Sequence, residues 1–330
     1  MPSTDSPAQP ARPAMRPMDV SVIIVSYNTR EITLRCLEDL NAGLGGLQAE
    51  TIVIDNASSD GSVQAIAERF PRVSRVPREH NLGFGAANNV GLERARGRYV
   101  LLLNSDAFVE PDTVGRLVDY LDKRPGVGVV APRLLNEDGT LQRSCFRYPS
   151  PMRAWLENLG IARLFRPGSP LGDYRDWAHD RTGPVDWAIG ACLLVRREAI
   201  DRAGGFDERF FMYAEETDWQ KRIRDAGWDI CLLADAQATH LGGASGASDR
   251  VRVNEQFFRS IDLYQAKHYG WAGLVLFRAA MVVGAVARLP LWAAACVLRP
   301  NRRAKAVGRV RMYAWLIGRQ LWRRPRLQRS

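Results

Sequence analysis

An apolar run that ends in a short polar segment is the first candidate for chemistry in this chain. Residues 99–103, Tyr-Val-Leu-Leu-Leu, have the composition of a strand buried on both faces, and Asn104, Ser105 and Asp106 follow directly. In open α/β sheets, ligands bind beyond the carboxyl ends of the strands. A carboxylate there can hold Mg²⁺ or Mn²⁺ against a diphosphate, because these ions share oxygen ligands with phosphates. The structural alternative is that Asp106 caps the turn and Pro111 opens the next helix.

Three further polar clusters are expected at strand ends. They are Ser26-Tyr27-Asn28, the segment 55–62 (Asp-Asn-Ala-Ser-Ser-Asp-Gly-Ser) and the glycine-rich segment 81–89 (Asn-Leu-Gly-Phe-Gly-Ala-Ala-Asn-Asn). Backbone N–H groups in a glycine-rich loop at a helix start favour an anion. The sequence contains neither a Walker A motif nor G-x-G-x-x-G, which argues against a P-loop kinase and a dinucleotide enzyme. Four polar strand ends facing one crevice predict a pocket for a nucleoside diphosphate.

The elements that would position these clusters alternate between strand and helix. Buried strands are predicted at 20–26, 50–55, 73–77 and 99–103, and amphipathic helices at 31–40, 62–70, 86–95 and 111–123. Segments 126–135 and 185–195 are expected to be further strands, and 147–183 a loop-rich or helical insertion. Alternation at this spacing predicts an α/β fold with a doubly wound, mostly parallel sheet.

Cysteine use and charge distribution narrow the class of protein. Five scattered cysteines with no C-x-x-C pair indicate reduced thiols in a cytosolic protein rather than disulfides or a zinc site. Residues 1–17, rich in Pro, Ala and Ser, are expected to be disordered and lack the apolar segment of a signal peptide. Residues 271–330 carry 13 Lys and Arg and no acid, which leaves 33 basic and 36 acidic residues in 1–270. A mildly acidic globule with a basic, aromatic tail is therefore predicted, and such charge blocks suit an anionic membrane or nucleic acid.

Seven motifs occur in order along residues 19–265. They are VIIVSYN (22–28), VIDNASSDG (53–61), NLGFGAANN (81–89), LLNSD (102–106), GACLLVR (190–196), GGFDERFFMYAEETDW (204–219) and HLGGAS (240–245). This series resembles the family 2 inverting glycosyltransferases, and within them most closely the subgroup that transfers rhamnose. The resemblance implies a GT-A fold, a nucleotide-sugar donor, a divalent cation (Mg²⁺ or Mn²⁺) and a single displacement that inverts the anomeric carbon.

The resemblance also implies roles for residues on the donor side. Ser26 and Asp55 would lie against the nucleoside, with Asn81 beside the base. Asp106 matches the last acid of the family's metal-binding D-x-D triplet, whose first position is here the neutral Asn104.

A second metal-binding position is implied further along the chain. His240 matches a position that often completes the metal shell. The alternative reading of His240 is a half-buried histidine that hydrogen-bonds to backbone.

The acid-rich segment 215–218, Glu-Glu-Thr-Asp, is where acid–base chemistry is expected. A sugar hydroxyl is a poor nucleophile, so a carboxylate within hydrogen-bond reach must take its proton. Glu216 aligns with the family's base, a position more often Asp, and Glu215 is placed on the acceptor side. Asp186 and Trp187 could line the acceptor side as well, although Trp187 could equally be a core residue. The acids could also simply favour the positive end of a helix, a role that suits Asp218.

The tail from Trp271 to Leu298 is largely apolar but is interrupted by Arg278, Arg288 and Pro290. Its longest uncharged run is ten residues, below the roughly 20 that span a bilayer. Amphipathic helices lying in an anionic membrane interface are therefore expected. A helical pair packed on the catalytic domain is the alternative. Nucleic acid is a poorer partner, because the arginines alternate with long apolar stretches.

Three segments follow from these observations: disordered residues 1–17, a GT-A domain at 18–265 and a basic amphipathic helical tail at 266–330. The expected protein is an inverting glycosyltransferase, peripheral on the cytoplasmic face of the cell membrane, that extends a cell-envelope glycan on a lipid-linked acceptor such as a polyprenyl-diphosphate sugar. The rhamnosyl resemblance favours dTDP-rhamnose as donor, with a UDP-hexose as the alternative. A catalytically silent sugar-nucleotide-binding homologue or a basic-tailed adaptor are the non-enzyme alternatives.

Overall fold

The computed structural model describes residues 18–165, 169, 177–242 and 250–322. The segment 1–17, expected to be disordered, and the end of the last motif, 243–245, lie outside these residues. The strands are β1 Val20–Ser26, β2 Ala49–Asp55, β3 Ser74–Pro77, β4 Tyr99–Asn104, β5 Ala107–Val109, β6 Val127–Leu135, β7 Cys145–Phe146, β8 Gly183–Pro184, β9 Trp187–Ala188, β10 Cys192–Arg196 and β11 Asp229–His240. The helices are α1 Arg30–Gly43, α2 Ser62–Arg69, α3 Phe84–Leu92, α4 Thr113–Asp122, α5 Pro151–Asn158, α6 Arg197–Ala203, α7 Glu215–Asp225, α8 Arg250–Leu298 and α9 Arg303–Trp322, with 3₁₀ turns at Ile161–Leu164 and Pro300–Arg302.

The central sheet has the strand order β3-β2-β1-β4-β10-β6-β11-β5, with β8 also pairing with β11. Strands β3, β2, β1 and β4 are parallel to one another, and β6 is parallel to β11. Strand β10 is antiparallel to both β4 and β6, so these two halves of the sheet run in the same direction. The sheet is therefore mostly parallel, as predicted.

Helices cover both faces of this sheet. Along β1, Val22 and Ile24 point into a core shared with α1, α2 and α4, whereas Ile23 belongs to a second core that includes α3, α6 and α7. Alternate residues of a strand point to opposite faces, so a strand buried on both sides is apolar throughout. This confirms the doubly wound arrangement that the uninterrupted apolar strands predict.

The first four strands and the four helices that accompany them form as predicted, within a few residues at their ends. The expected strand over 185–195 is wrong as a single element. Its first part forms β9, which pairs with β7 in a separate two-stranded sheet, and its last part forms β10 in the main sheet. Residues Ile189–Ala191 connect the two, and this interruption brings their backbone to the candidate site. Strands β5 and β11 were not anticipated.

The tail packs on the rest of the protein along one face. A third apolar cluster joins Ala154 of α5 and Phe210 to Tyr264, Phe277 and Ala280 of α8. Helix α9 packs on α8, and the expected boundary at 265/266 falls inside α8, whose backbone leaves the helical conformation at Gly270 (φ 66°, ψ −173°). Packing of a helical pair on the catalytic domain is therefore part of the structure.

The other face of the tail exposes large apolar side chains. They are Trp271, Val275, Leu276, Val283, Val286, Leu291, Val297, Leu298, Leu321 and Trp322. By length and composition, the stretch Glu255–Leu298 is long and apolar enough to cross a membrane. The prediction that this segment is too short in uncharged residues to span a bilayer is therefore wrong by length and composition, because isolated arginines leave the helix apolar enough.

Candidate active site

Three of the polar clusters meet at one edge of the sheet. Ser26 ends β1, Asp55 ends β2 and Asn104 ends β4. The parallel register aligns Ser26 with Asp55 and Val25 with Asn104, so the three positions lie side by side. The crevice beyond these strand ends is the place where open α/β sheets bind ligands.

One carboxylate oxygen of Asp55 is buried without a partner. Asp55 Oδ2 accepts a hydrogen bond from the Ser58 N–H at 3.0 Å. Oδ1 is buried and has no hydrogen-bond partner within the part of the chain that the structure describes. Leaving a buried acceptor unpaired is costly. Asp55 therefore suits a ligand that donates an N–H or O–H, such as a nucleoside.

Ser26 and Asn81, the other residues expected at the nucleoside, bind protein groups. The Ser26 hydroxyl is fully buried and lies 3.0 Å from the Thr33 hydroxyl. Asn81 Oδ1 accepts hydrogen bonds from Asn56 Nδ2 and from the Gly83 N–H, both at 2.9 Å. These contacts hold the loops around the crevice, and contact of either residue with a nucleoside stays a prediction.

The glycine-rich loop packs against the segment that leads into α7. Gly83 has φ 83°, and a Cβ there would overlap the carbonyl oxygen of Phe211. The same carbonyl accepts the Phe84 N–H at 3.1 Å. A Cβ at Gly85 would lie 3.6 Å from the Cβ of Glu215. Glycine permits this close approach and the positive φ, and the loop is thereby fixed beside the acidic segment.

Asp106 and His240 come together through strand pairing that the sequence does not signal. Strand β5 pairs antiparallel with β11 and aligns Ala107 with His240. The backbone carbonyl of Asp106 also accepts the Leu241 N–H at 3.0 Å. As a result, His240 Nε2 lies 3.3 Å from Asp106 Oδ1 and 3.4 Å from Asn104 Nδ2.

Gln142 sets the orientation of the His240 ring. Its Nε2 donates to the His240 carbonyl at 2.9 Å and to Asn136 Oδ1 at 3.1 Å, so its Oε1 is the acceptor that lies 2.7 Å from His240 Nδ1. When the imidazole is neutral, its proton is therefore on Nδ1. The lone pair of Nε2 then faces the Asp106 carboxylate, an arrangement that suits a cation between the two.

These residues fit a divalent ion that completes its coordination with substrate. Within the described ranges, no group of three or more His, Cys, Asp or Glu side chains could hold a metal by itself. Asp106 and His240 supply one oxygen and one nitrogen ligand, and Mg²⁺ in nucleotide sites commonly takes one or two protein ligands, substrate phosphates and waters. The donor set therefore fits the implied Mg²⁺ or Mn²⁺.

Glu215 and Glu216 are the first two residues of α7. The residues before them, Tyr213 and Ala214, have φ of 68° and 63°, a conformation that non-glycine residues rarely adopt. Strain of this kind persists where the surrounding structure enforces it, often at functional sites. The turn starts the helix so that both carboxylates lie at its N-terminus.

Burial raises the pKa of both glutamates. The pKa of Glu215 lies well above its ordinary value because the side chain is buried and the Glu216 charge is close. Burial also raises the pKa of Glu216, against the opposing effect of hydrogen bonds from the N–H groups of Glu216, Thr217 and Gly190. The backbone N–H groups near Glu216 therefore favour its ionised form, whereas the Glu216 charge disfavours ionisation of Glu215.

The two chemical centres are connected through the loop between β9 and β10. Gly190 packs against Glu216, since a Cβ at Gly190 would lie 3.6 Å from the Glu216 Cβ, and the neighbouring Ala191 carbonyl accepts the Asn104 N–H at 2.9 Å. Glu216 and the Asn104–Asp106 segment are therefore joined through two consecutive residues.

Trp187 and Glu216 line one cavity of about 640 Å³. The Trp187 ring stacks on Phe146, with centroids 5.0 Å apart, and its Nε1 donates to the Arg147 carbonyl at 3.0 Å. Asp186 instead accepts a hydrogen bond from Arg147 at 3.0 Å. Its carboxylate therefore holds a residue of the cavity wall and does not line the cavity itself. Trp187 is thus placed where an acceptor could contact it, and Glu215, which is 4% exposed, lies behind Glu216.

Comparison with known proteins decides the family. A family model described as "Glycosyl transferase family 2" matches residues 21–202, more than half of the chain. This chain belongs to glycosyltransferase family 2. The family assignment confirms the resemblance that the seven motifs carry, and it identifies the protein as an enzyme that transfers a hexose.

Two relatives and one solved structure place this glycosyltransferase within its family. It is 32% identical over 264 residues to N-acetylglucosaminyl-diphospho-decaprenol L-rhamnosyltransferase of Mycobacterium tuberculosis, covering 76% of this chain and 85% of the relative. It is 26% identical over 224 residues to the low-salt glycan biosynthesis hexosyltransferase Agl10 of Haloferax volcanii, covering 66% of each. The mannosyltransferase PcManGT of Pyrobaculum calidifontis, solved with GDP-Man and Mn²⁺, has a TM-score of 0.56 at 20% identity over 94% of this chain and 88% of its own. The shared architecture confirms the GT-A fold.

Several residues of this glycosyltransferase's site had no signal in the sequence. Gln142 orients His240 from a distant part of the chain. Of the α8 side chains that line the cavity, Phe277 belongs to the predicted tail, whereas Phe257 belongs to the predicted GT-A domain but to none of its motifs. None of these residues belongs to a local pattern that indicates a site, so their roles follow from the tertiary structure alone.

Proposed function

We propose that this glycosyltransferase transfers L-rhamnose from dTDP-rhamnose to a lipid-linked or polysaccharide acceptor in cell-envelope glycan synthesis. The mycobacterial relative, by its name, is a rhamnosyltransferase that acts on N-acetylglucosaminyl-diphospho-decaprenol. The observation that carries the proposal is the placement of Glu216. It lies in the wall of a cavity, with a raised pKa, and is joined through residues 190–191 to the segment that contains Asp106.

Glu216 acts as the general base. A raised pKa makes its carboxylate a stronger base than an ordinary glutamate, which helps it to accept the proton of a sugar hydroxyl. The nearby backbone N–H groups favour its ionised form and so oppose the effect of burial on its pKa. Glu215, whose pKa is raised further, keeps its proton when Glu216 ionises. No second nucleophilic carboxylate is needed, so a single displacement inverts the anomeric carbon.

Asp106 and His240 hold the divalent ion, and Asp55 binds the nucleoside through its unpartnered oxygen. When bound, Mg²⁺ or Mn²⁺ offsets the negative charge that develops on the departing nucleoside diphosphate. Gln142 holds the His240 ring with Nε2 directed at Asp106. Ser26 and Asn81 shape the nucleoside side of the crevice, and Asn104 adds a neutral side chain beside the ion.

The catalytic domain covers 18–265 and the tail 266–330 attaches it to the cytoplasmic face of the membrane. The exposed apolar side chains of α8 and the exposed arginines of α9, such as Arg309 and Arg311, match an anionic interface. Because Phe277 and Ala280 of α8 are buried against the catalytic domain, the helix lies along the membrane surface with that domain. A lipid-linked acceptor is delivered at the same surface.

The substitution Glu216→Gln tests the base. We expect turnover to fall by about 10²–10⁴, the usual effect of losing a general base, with donor affinity unchanged. The matched control is Glu198→Gln, because Glu198 is likewise the second residue of a helix, α6, but is exposed. In the parent enzyme, the rate should fall on the acid side at a higher pH than an ordinary glutamate would give, since Glu216 must be ionised and its pKa is raised.

The assay measures nucleotide release and product configuration with dTDP-rhamnose, UDP-hexoses and GDP-mannose, using an N-acetylglucosaminyl-diphospho-prenol acceptor. Faster turnover with a UDP-hexose than with dTDP-rhamnose would show that the donor is a UDP-hexose. The assignment of Glu216 as the base would not be affected. Retention of anomeric configuration, or near-normal turnover of Glu216→Gln, would contradict the mechanism. A chain that binds the donors and transfers none of them would be the silent homologue.

A further inference from the structure

The cavity beside Glu216 extends well beyond what a sugar needs. Its volume of about 640 Å³ lies within the range of about 300–1,000 Å³ that encloses drug-sized ligands. Besides Glu216 and Trp187, its wall contains three aromatic side chains of α8, namely Phe257, Phe258 and Phe277. Most of the lining is therefore apolar, although it adjoins the proposed base.

The charged residues of this wall are three arginines and two glutamates, Glu157 and Glu216. Arg143, Arg147 and Arg153 line the cavity. Arg147 is held by Asp186 at 3.0 Å and Arg153 by Glu157 at 2.9 Å, so both guanidinium groups are in place before a ligand arrives. A guanidinium is planar and matches phosphate oxygens in a bidentate geometry. The cavity thus combines an apolar surface with groups that recognise a diphosphate.

The apolar part of the cavity is built by the helix that would contact the membrane. Phe257, Phe277 and Met281 belong to the stretch Glu255–Leu298, which is apolar enough to cross a bilayer and whose most apolar window is only 11% buried. One side of α8 therefore faces the catalytic centre and another is available to lipid. A ligand with an isoprenoid chain can remain in contact with apolar surface as it passes from the bilayer to Glu216.

We infer that this cavity binds the lipid diphosphate of the acceptor. The arginines contact the diphosphate, and the aromatic side chains of α8 enclose the first isoprene units. The attached sugar then extends towards Glu216. This inference rests on the proposed function, because it requires an acceptor sugar that is linked to an isoprenoid diphosphate.

Acceptor chain length tests the inference in the full-length enzyme. The two acceptors are N-acetylglucosamine diphosphates that carry a farnesyl or a propyl chain. Phe257→Ala should raise KM for the farnesyl acceptor about tenfold, equivalent to about 1.4 kcal/mol, and leave the propyl acceptor unchanged. Phe257 is 43% exposed, so its truncation should cost little stability. Phe165→Ala is the matched control, since Phe165 is 38% exposed and lies outside the cavity.

A binding experiment tests the inference without requiring turnover. Farnesyl diphosphate carrying a photoreactive group should crosslink to residues 143–158 or 255–281 of the full chain. Unlabelled farnesyl diphosphate should compete, whereas farnesol and inorganic pyrophosphate should compete weakly. Arg143→Gln should reduce labelling, and Arg259→Gln, at an exposed position of α8 outside the lining, should not.

The outcomes separate the two proposals. Equal transfer to both acceptors, or equal loss on both in Phe257→Ala, would refute the lipid site while the glycosyltransferase function stands. Crosslinking elsewhere in the chain would refute it as well. If no acceptor is glycosylated yet the probe labels the cavity, the proposed function fails and the isoprenoid diphosphate site remains.

Discussion

Replacing Gln142 tests whether the orientation of the His240 ring matters for metal binding, because His240 itself is retained. The Gln142 side chain makes three hydrogen bonds, of which the one from His240 Nδ1 is 2.7 Å long. Gln142→Leu keeps a side chain of similar size but removes the acceptor, so the imidazole can rotate or carry its proton on Nε2. The ligand nitrogen would then no longer be held towards Asp106, 3.3 Å away.

The expected loss follows from the kind of contact removed. Substituting a hydrogen-bond partner of a metal-ligating histidine usually costs about 10–100-fold in metal affinity, or about 1.4–2.7 kcal/mol. We expect a loss in this range for Gln142→Leu and a larger one for Asp106→Asn, which removes a charged ligand. Gln142→Glu retains an acceptor for His240 Nδ1, so it should recover most of the affinity. The measurement is titration of the transfer rate with Mn²⁺ and calorimetry of metal-dependent donor binding.

Unchanged metal dependence of Gln142→Leu, in a protein whose melting temperature is also unchanged, would refute this reasoning. It would mean either that His240 does not ligate the ion or that other contacts orient its ring. Equal loss in the Leu and Glu variants would show that the contacts to the His240 carbonyl and Asn136 matter more than the acceptor at Nδ1. His240→Ala distinguishes these cases, because it should weaken metal-dependent binding only if the His240 ring is a ligand.

Two other predictions concern stability and membrane attachment. Asp218 is fully buried, and although burial alone would raise its pKa, hydrogen bonds from His268 and Lys267 hold that pKa below its ordinary value. Its contribution to stability is therefore present above the ordinary aspartate pKa of about 3.9 and is lost as the pH falls through the lower folded value. Asp218→Asn should lower the free energy of unfolding at pH 7 by about 3–5 kcal/mol. The difference between the variant and the parent protein should shrink below about pH 4. Denaturant titrations in which that difference does not change with pH would contradict this prediction. Binding of the full chain to anionic vesicles should weaken steeply as NaCl rises from about 0.05 to about 0.5 M, since each Lys or Arg near the surface contributes about 1 kcal/mol that salt screens. Salt-resistant attachment in a sedimentation assay would indicate that α8 crosses the bilayer.

Within the acidic segment 215–218, the tertiary structure gives Asp218 a role that the sequence does not predict. In the sequence, Asp218 is expected to favour the positive end of α7. In the structure it lies between α7 and α8, accepting from Arg222 at 2.9 Å, from Lys267 at 2.7 Å and from His268 at 2.8 Å. Its partners on α8 belong to a part of the chain with no local relation to the motif. This ion cluster joins the helix that carries the proposed base to the helix that lines the cavity.

The amino-acid sequence by itself determined the first half of the sheet and the polar strand ends. Apolar runs such as 22–25 and 99–103 are recognisable because burial on both faces leaves few polar positions. The helices between them have apolar residues at helical spacing. Parallel strands bring their carboxyl ends to one edge, so the proximity of Ser26, Asp55 and Asn104 follows from local patterns alone.

The tertiary structure decided how the second half completes the site. The antiparallel insertion of β10 and the pairing of β5 with β11 bring His240 to Asp106, and Gln142 then selects the proton position on its ring. The packing of α8 on α5 turns a tail into the wall of a cavity. Hydrophobic periodicity specifies which face of an element is buried, but not its partner. Which element packs against that face depends on many contacts between distant segments of the chain. A pattern within one segment therefore does not identify it.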